Sequence, residues 1–164
     1  MRSICKRPFI HFVLILVLLS VTHLRSAAQD CGPITSTKLK EFLTQMGFAV
    51  KNINEAGKAD KFEIKNATNG LDIPTSYEIS ASTNYIWITV FLGKAQSDSS
   101  INNNLLRQNA AIQPCFFYFS AKGNLMMGLP VENRAVTTAV LKRCNDFLSN
   151  RVGDTKSYWG SKSN

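Results

Sequence analysis

The chain of 164 residues is long enough for one domain with its own hydrophobic core, and it carries 19 Lys and Arg against 11 Asp and Glu, a formal net charge of +8. Four of the basic residues and both histidines, His11 and His23, fall in the first 28 positions, so the rest has 15 basic and 11 acidic residues, a net of +4, and no histidine. A mature chain of this kind lacks the usual general base, the usual zinc ligand and the usual activator of a Ser or Cys nucleophile; its scattered Lys and Arg form no basic cluster interleaved with aromatics ahead of the tail, where Lys156, Tyr158, Trp159 and Lys162 read as an ordinary disordered end, so nucleic-acid binding is not expected.

Arg2, Lys6 and Arg7 precede an apolar run from Phe9 to Val21, and Ser26-Ala27-Ala28 closes the segment with small residues where a signal peptidase cuts. Residues 1–28 therefore read as a secretory signal peptide, 29–150 as a single α+β domain and 151–164 as a flexible C-terminal tail. The apolar run is shorter than the roughly 20 residues of a membrane-spanning helix. Cleavage after Ala28 and export to a periplasmic or extracellular space are expected, with no stable membrane anchor afterwards. Asp30 stands ahead of Cys31, where lipid attachment wants a small neutral residue.

Three cysteines remain after cleavage. In an oxidising compartment Cys31 and Cys144 are the candidate disulfide, tying the N-terminus to the last helix. Cys115, between Pro114 and four consecutive Phe and Tyr residues, reads as a buried strand thiol acting as a small hydrophobe.

Within the domain, Leu39, Phe42, Leu43 and Met46 recur at helical spacing and predict a helix over Thr37–Met46, with Ser36 or Thr37 as cap and Gly47 as its end. An extended segment begins at Phe48–Val50, a polar turn follows over 52–61, and Phe62 and Ile64 alternate as a strand. Asn69-Gly70 makes the next turn, before Tyr77, Ile79 and Ala81. The strongest strand is Tyr85–Leu92. Its side chains divide by parity into Ile86, Ile88, Val90 and Leu92 on one face, and Tyr85, Trp87, Thr89 and Phe91 on the other. Ser99 or Ser100 caps a helix over Ile101–Ile112, with Leu105, Leu106 and Ile112 on its apolar side, ended by Pro114. Phe116–Phe119, Lys122-Gly123-Asn124 and Leu125–Leu129 form a β-hairpin that Pro130 stops. The last helix runs from an Asn133 cap to about Leu148, with Val136, Val140, Cys144 and Phe147 along one face. The sum is an α+β fold of order α-β-β-β-α-β-β-α: about five mostly antiparallel strands and three helices.

No motif for a cofactor or metal accompanies this frame. Asp72 with Glu78, and Asp60 with Glu63, are near in sequence but nothing makes either pair converge, and neither a GxSxG nor an HExxH pattern occurs. Cofactors and metals are expected to be none, and an enzyme is not expected. The constellation with functional pull is aromatic. Tyr85, Trp87 and Phe91, with Phe116 and Tyr118 or their opposite-parity neighbours Phe117 and Phe119, and with Leu105 of the adjoining helix, make the candidate interaction surface Tyr85, Trp87, Phe91, Leu105 and Phe117. Packing of the same rings between sheet and helices is the structural alternative.

The element order, the segment Leu105-Leu106-Arg107-Gln108-Asn109-Ala110 ahead of an aromatic hairpin turning at Lys122-Gly123-Asn124-Leu125, and the closing amphipathic helix resemble the YbjN-type domain, which is related in fold to the secretion chaperones of type III systems. The resemblance spans about Thr35 to Asn150. It implies a five-stranded, mostly antiparallel sheet covered by helices, no cofactor, and binding of another protein, often as a homodimer. The signal peptide departs from relatives that work mostly in the cytoplasm, so a secretion-chaperone role does not carry over. The expected function is an exported, non-enzymatic, protein-binding or chaperone-like domain. The alternative is a carrier of a small apolar ligand, its cavity lined by Phe42, Trp87, Phe117 and Met127.

Overall fold

The structure is a computed structural model that describes residues 32–68, 70–95 and 98–160. The signal segment and Cys31, with its pairing to Cys144, lie outside the described residues.

The first helix, α1, spans Ser36–Gln45; β1 is Lys51–Asn52, β2 Lys61–Thr68, β3 Leu71–Ile79 and β4 Tyr85–Lys94. Helix α2 follows at Ser99–Gln108, then β5 at Phe116–Phe119, β6 at Asn124–Glu132, α3 at Thr138–Asp154 and α4 at Lys156–Trp159. The strands form one antiparallel sheet in the order β1-β2-β3-β4-β6-β5. The α+β class and antiparallel sheet agree with the sequence reading, with a two-residue β1 and the one-turn α4 in addition.

Period-2 alternation builds this sheet. Phe62 and Ile64 of β2, Ile73 and Tyr77 of β3, Ile86, Ile88 and Val90 of β4, and Leu125, Met127, Leu129 and Val131 of β6 point to one side and are buried. Leu39 and Leu43 of α1 and Leu141, Leu148 and Val152 of α3 complete this core. Helix α3 packs on β2 and β6, and α1 on α3. The covered face also holds a polar knot. The Tyr77 hydroxyl donates to Asn145 Oδ1 at 2.6 Å, and Asn145 and Asn66 exchange reciprocal amide hydrogen bonds of 2.9 Å. Asn66 Nδ2 donates its other hydrogen to Thr75 Oγ1 at 2.8 Å. Desolvation raises the Tyr77 phenol far above its ordinary value, so the hydroxyl stays a donor.

Local boundaries differ from the sequence reading for identifiable reasons. Thr35, Asp98 and Thr137 cap the three long helices, each accepting from a backbone N–H two or three residues on. Asn133 is not a cap: it is fully buried, and its amide bonds both the N–H and the C=O of Ile34 and the carbonyl of Thr83. It thus ties the entering chain to the β3–β4 turn, where Thr83 takes φ 59°. Pro130 does not stop β6, which runs on to Glu132. β5 ends opposite Gly128, so at Pro130 β6 has a strand on one side only, where a missing N–H is tolerated. The stretch expected as a flexible tail from 151 is helical as far as Trp159. Val152 and Thr155 are buried there, and the Thr155 hydroxyl donates to the Arg151 carbonyl at 2.6 Å and accepts from Trp159 Nε1 at 3.2 Å.

Candidate functional site: the uncovered face of the sheet

Opposite parity sends the second set of strand side chains to a face that no described helix covers. Tyr85, Trp87 and Phe91 of β4 lie there, Tyr85 46% and Phe91 57% exposed and Trp87 half-buried. The register aligns Trp87 with Pro130, Thr89 with Gly128 and Phe91 with Met126 across β6, and Phe116 and Tyr118 of β5 lie beyond, opposite Gly128 and Met126. Trp87 meets Phe116 edge to face, ring centroids 6.1 Å apart at 80°, and Phe116 meets Tyr118 at 5.6 Å. These are favourable aromatic geometries, so Trp87, Phe116 and Tyr118 form one run of touching rings, and Tyr85 and Phe91 extend the aromatic face along β4 on either side of Trp87. Burial, and then the Glu78 carboxylate, push the Tyr118 phenol above its ordinary value, so it remains neutral in the band.

At one end the band opens into a cleft of about 530 Å³. Its floor includes Ser76, Phe91 and Met126, and its walls come from the β1–β2 loop and the β5–β6 turn. Lys58 and Lys122 both approach Glu55 at 3.9 Å, and Lys61 pairs with Glu78 across β2 and β3 at 3.6 Å. Glu55, Lys58 and Lys122 are largely exposed and Lys61 and Glu78 partly so, so each pair contributes little to stability and is free to re-pair with an incoming group.

The five residues expected to share a surface do not. Tyr85, Trp87 and Phe91 are together on the open face. Leu105 and Phe117 are 2% and 3% exposed and belong to the core on the other side. In a hairpin arm that reads Phe-Phe-Tyr-Phe both parities are aromatic, and only pairing with Gly128 and Met126 identifies Phe116 and Tyr118 as the residues facing outward. The same register removes the carrier cavity as expected from Phe42, Trp87, Phe117 and Met127, because Trp87 points away from Phe117 and Met127. Among the described residues no group of His, Cys, Asp and Glu is placed to hold a metal, and no helix is long and apolar enough to cross a membrane.

The outer edge of β5 is closed by a side chain. Asn109, just past α2, accepts from the Phe117 N–H at 2.7 Å and donates to the Phe117 carbonyl at 3.2 Å, occupying both groups that a further strand would use. On the far side of the sheet, β2 pairs with β1 only at Phe62 and Glu63, and the exposed Lys65 follows on that edge. A lysine there discourages strand addition.

The fold is similar to that of a chain in the heterodimeric complex ExoU–SpcU from the type III secretion system of Pseudomonas aeruginosa, with a TM-score of 0.51 at 15% identity, over 73% of this chain and 96% of that one. At that identity the likeness is one of fold, and it agrees with the fold relation to type III secretion proteins expected from the element order. The sequence matches no protein-family model and no curated protein.

Proposed function

We propose that this chain is an exported, non-enzymatic, chaperone-like domain of YbjN type that binds another protein through the band Tyr85, Trp87, Phe91, Phe116 and Tyr118. The observation that carries the reading is a six-stranded sheet with one face filled by core and the other left open, with Trp87, Phe116 and Tyr118 in ring contact and Tyr85 and Phe91 exposed beside them. The few residues that carry most of the energy at protein interfaces are enriched in Trp and Tyr, and a large exposed apolar patch without a partner is a liability. Asn109 and Lys65 guard the sheet edges, which favours docking on the face over strand addition. The similar chain sits in a heterodimeric complex, which supports a protein partner. Export rests on the signal at residues 1–28, and the absence of catalysis on a histidine-free mature chain.

The test is partner capture from the exported fraction of the native cell, followed by affinity measurement with the identified partner, and sedimentation of the purified domain to detect a second copy as occupant. Phe91→Ser with Trp87→Ser should abolish association and leave the fold. A wild-type domain that is monomeric and captures nothing, or a double variant that binds as well as wild type, overturns the proposal.

A further inference from the structure

The chain contains one Asn-x-Ser/Thr triplet, Asn66-Ala67-Thr68. Such a triplet is the acceptor signal for N-linked glycans and belongs on the surface of a protein that matures in a glycosylating compartment. Here it sits in β2 with Asn66 7% exposed and pointing into the core. Both hydrogens of its Nδ2 are used, one by Thr75 Oγ1 and one by Asn145 Oδ1, and its Oδ1 accepts from Asn145 Nδ2. Glycan attachment joins Nδ2 to the anomeric carbon of the sugar, with a proton leaving the amide and a lipid diphosphate leaving the sugar. The product keeps a single N–H, and a large hydrophilic group would stand where α3 packs on the sheet. Attachment acts on the unfolded chain as it emerges from the membrane, before Asn145, 79 residues later, can cover the site. Folding cannot protect Asn66 in time.

We infer that Asn66 is an acceptor that must stay unmodified for the chain to fold, and that the chain is exported across a membrane that attaches no glycan to Asn-x-Thr, as in a bacterial envelope, rather than through an endoplasmic reticulum. This goes beyond the binding proposal and depends only on export. The experiment expresses the chain behind a cleavable endoplasmic-reticulum leader in cultured eukaryotic cells, reading glycosylation by the mass shift on endoglycosidase treatment, folding by protease resistance, and secretion. Wild type should be glycosylated, protease-sensitive and retained. Thr68→Val, which removes the signal and leaves Asn66, should be secreted folded, as should wild type when glycan synthesis is blocked by an inhibitor. Bacterially expressed wild type and Thr68→Val should melt within about 2 °C of each other, which shows that the substitution itself does no harm. A glycosylated wild type secreted in protease-resistant form, a wild type that folds before it is modified, or a glycan at Asn66 of protein from its native source would each overturn the inference.

Discussion

Gly128 of β6 lies beneath the ring of Tyr118: a Cβ placed there would stand 3.1 Å from Tyr118 Cε1, with Phe116 Cζ at 3.2 Å. The missing side chain lets both rings lie down across the sheet, and this posture brings Phe116 against Trp87. Gly128→Ala should therefore lift the rings by a few tenths of an ångström. Because they border solvent and can give, stability should change by less than about 1 kcal/mol. The near-ultraviolet circular dichroism of the Trp87 cluster should change and partner affinity should fall. An unaltered spectrum would show that the rings do not depend on Gly128.

The two faces of the sheet should answer opposite questions. Phe117→Ser empties a core site and should cost about 3–5 kcal/mol in urea unfolding. Phe91→Ser removes a ring that is 57% exposed and should cost less than about 1 kcal/mol. Equal losses would mean that the open face is covered within the folded monomer.

Asn145 accepts from Tyr77 and exchanges bonds with Asn66, so Asn145→Ala strands several buried groups at once. Its cost should be about 2–4 kcal/mol. The Asn66→Ala and Asn145→Ala effects should be non-additive by about 1 kcal/mol or more in a double-mutant cycle. Additive effects would mean that the amide pair is not formed.

Stability should decline at alkaline pH. Burial, opposed by Arg151, raises the Cys115 thiol from 9.0 to about 12, and burial raises the Tyr77 phenol further still. Both groups release protons from the unfolded chain first. The stability they lend is complete below the unfolded values and is lost as pH climbs, for Cys115 through the window from about 9 to 12 and for Tyr77 from about 10 upward, at up to about 1.4 kcal/mol per pH unit for each group. Cys115→Ala should flatten the slope in unfolding midpoints measured from pH 8 to 11. Native Cys115 should also react with a thiol reagent at pH 8 far more slowly than the unfolded chain does. A flat profile in wild type would contradict the buried thiol.

The alternation of β4 was readable in sequence and separated the face of Ile86, Ile88 and Val90 from that of Trp87 and Phe91. Which face would be covered was not readable, because that depends on where α1 and α3 land. The sequence leaves Phe117 unplaced because an all-aromatic arm carries no parity signal until its partner strand is known, and Leu105 because the side on which the apolar stripe of α2 lands is set by tertiary packing. The polar anchors were hidden by distance. Asn133 serves Ile34, 99 residues away, and Asn145 serves Asn66, 79 residues away. A periodic apolar pattern marks neither as buried. Thr155 was hidden by a polar neighbourhood that read as tail, although its hydroxyl bonds to Arg151 and Trp159 fasten the end of α3.

The most direct test of the open face as a binding surface is affinity for the captured partner, compared between Phe91→Ser and Leu106→Ser. Leu106 is an apolar residue of α2, as exposed at 56% as Phe91, but it is on a helix and not on the open face of the sheet. Phe91→Ser should lose affinity at least tenfold and Leu106→Ser should lose none, with unchanged melting in both. Wild-type affinity in Phe91→Ser, or an equal loss in Leu106→Ser, would contradict binding through the open face.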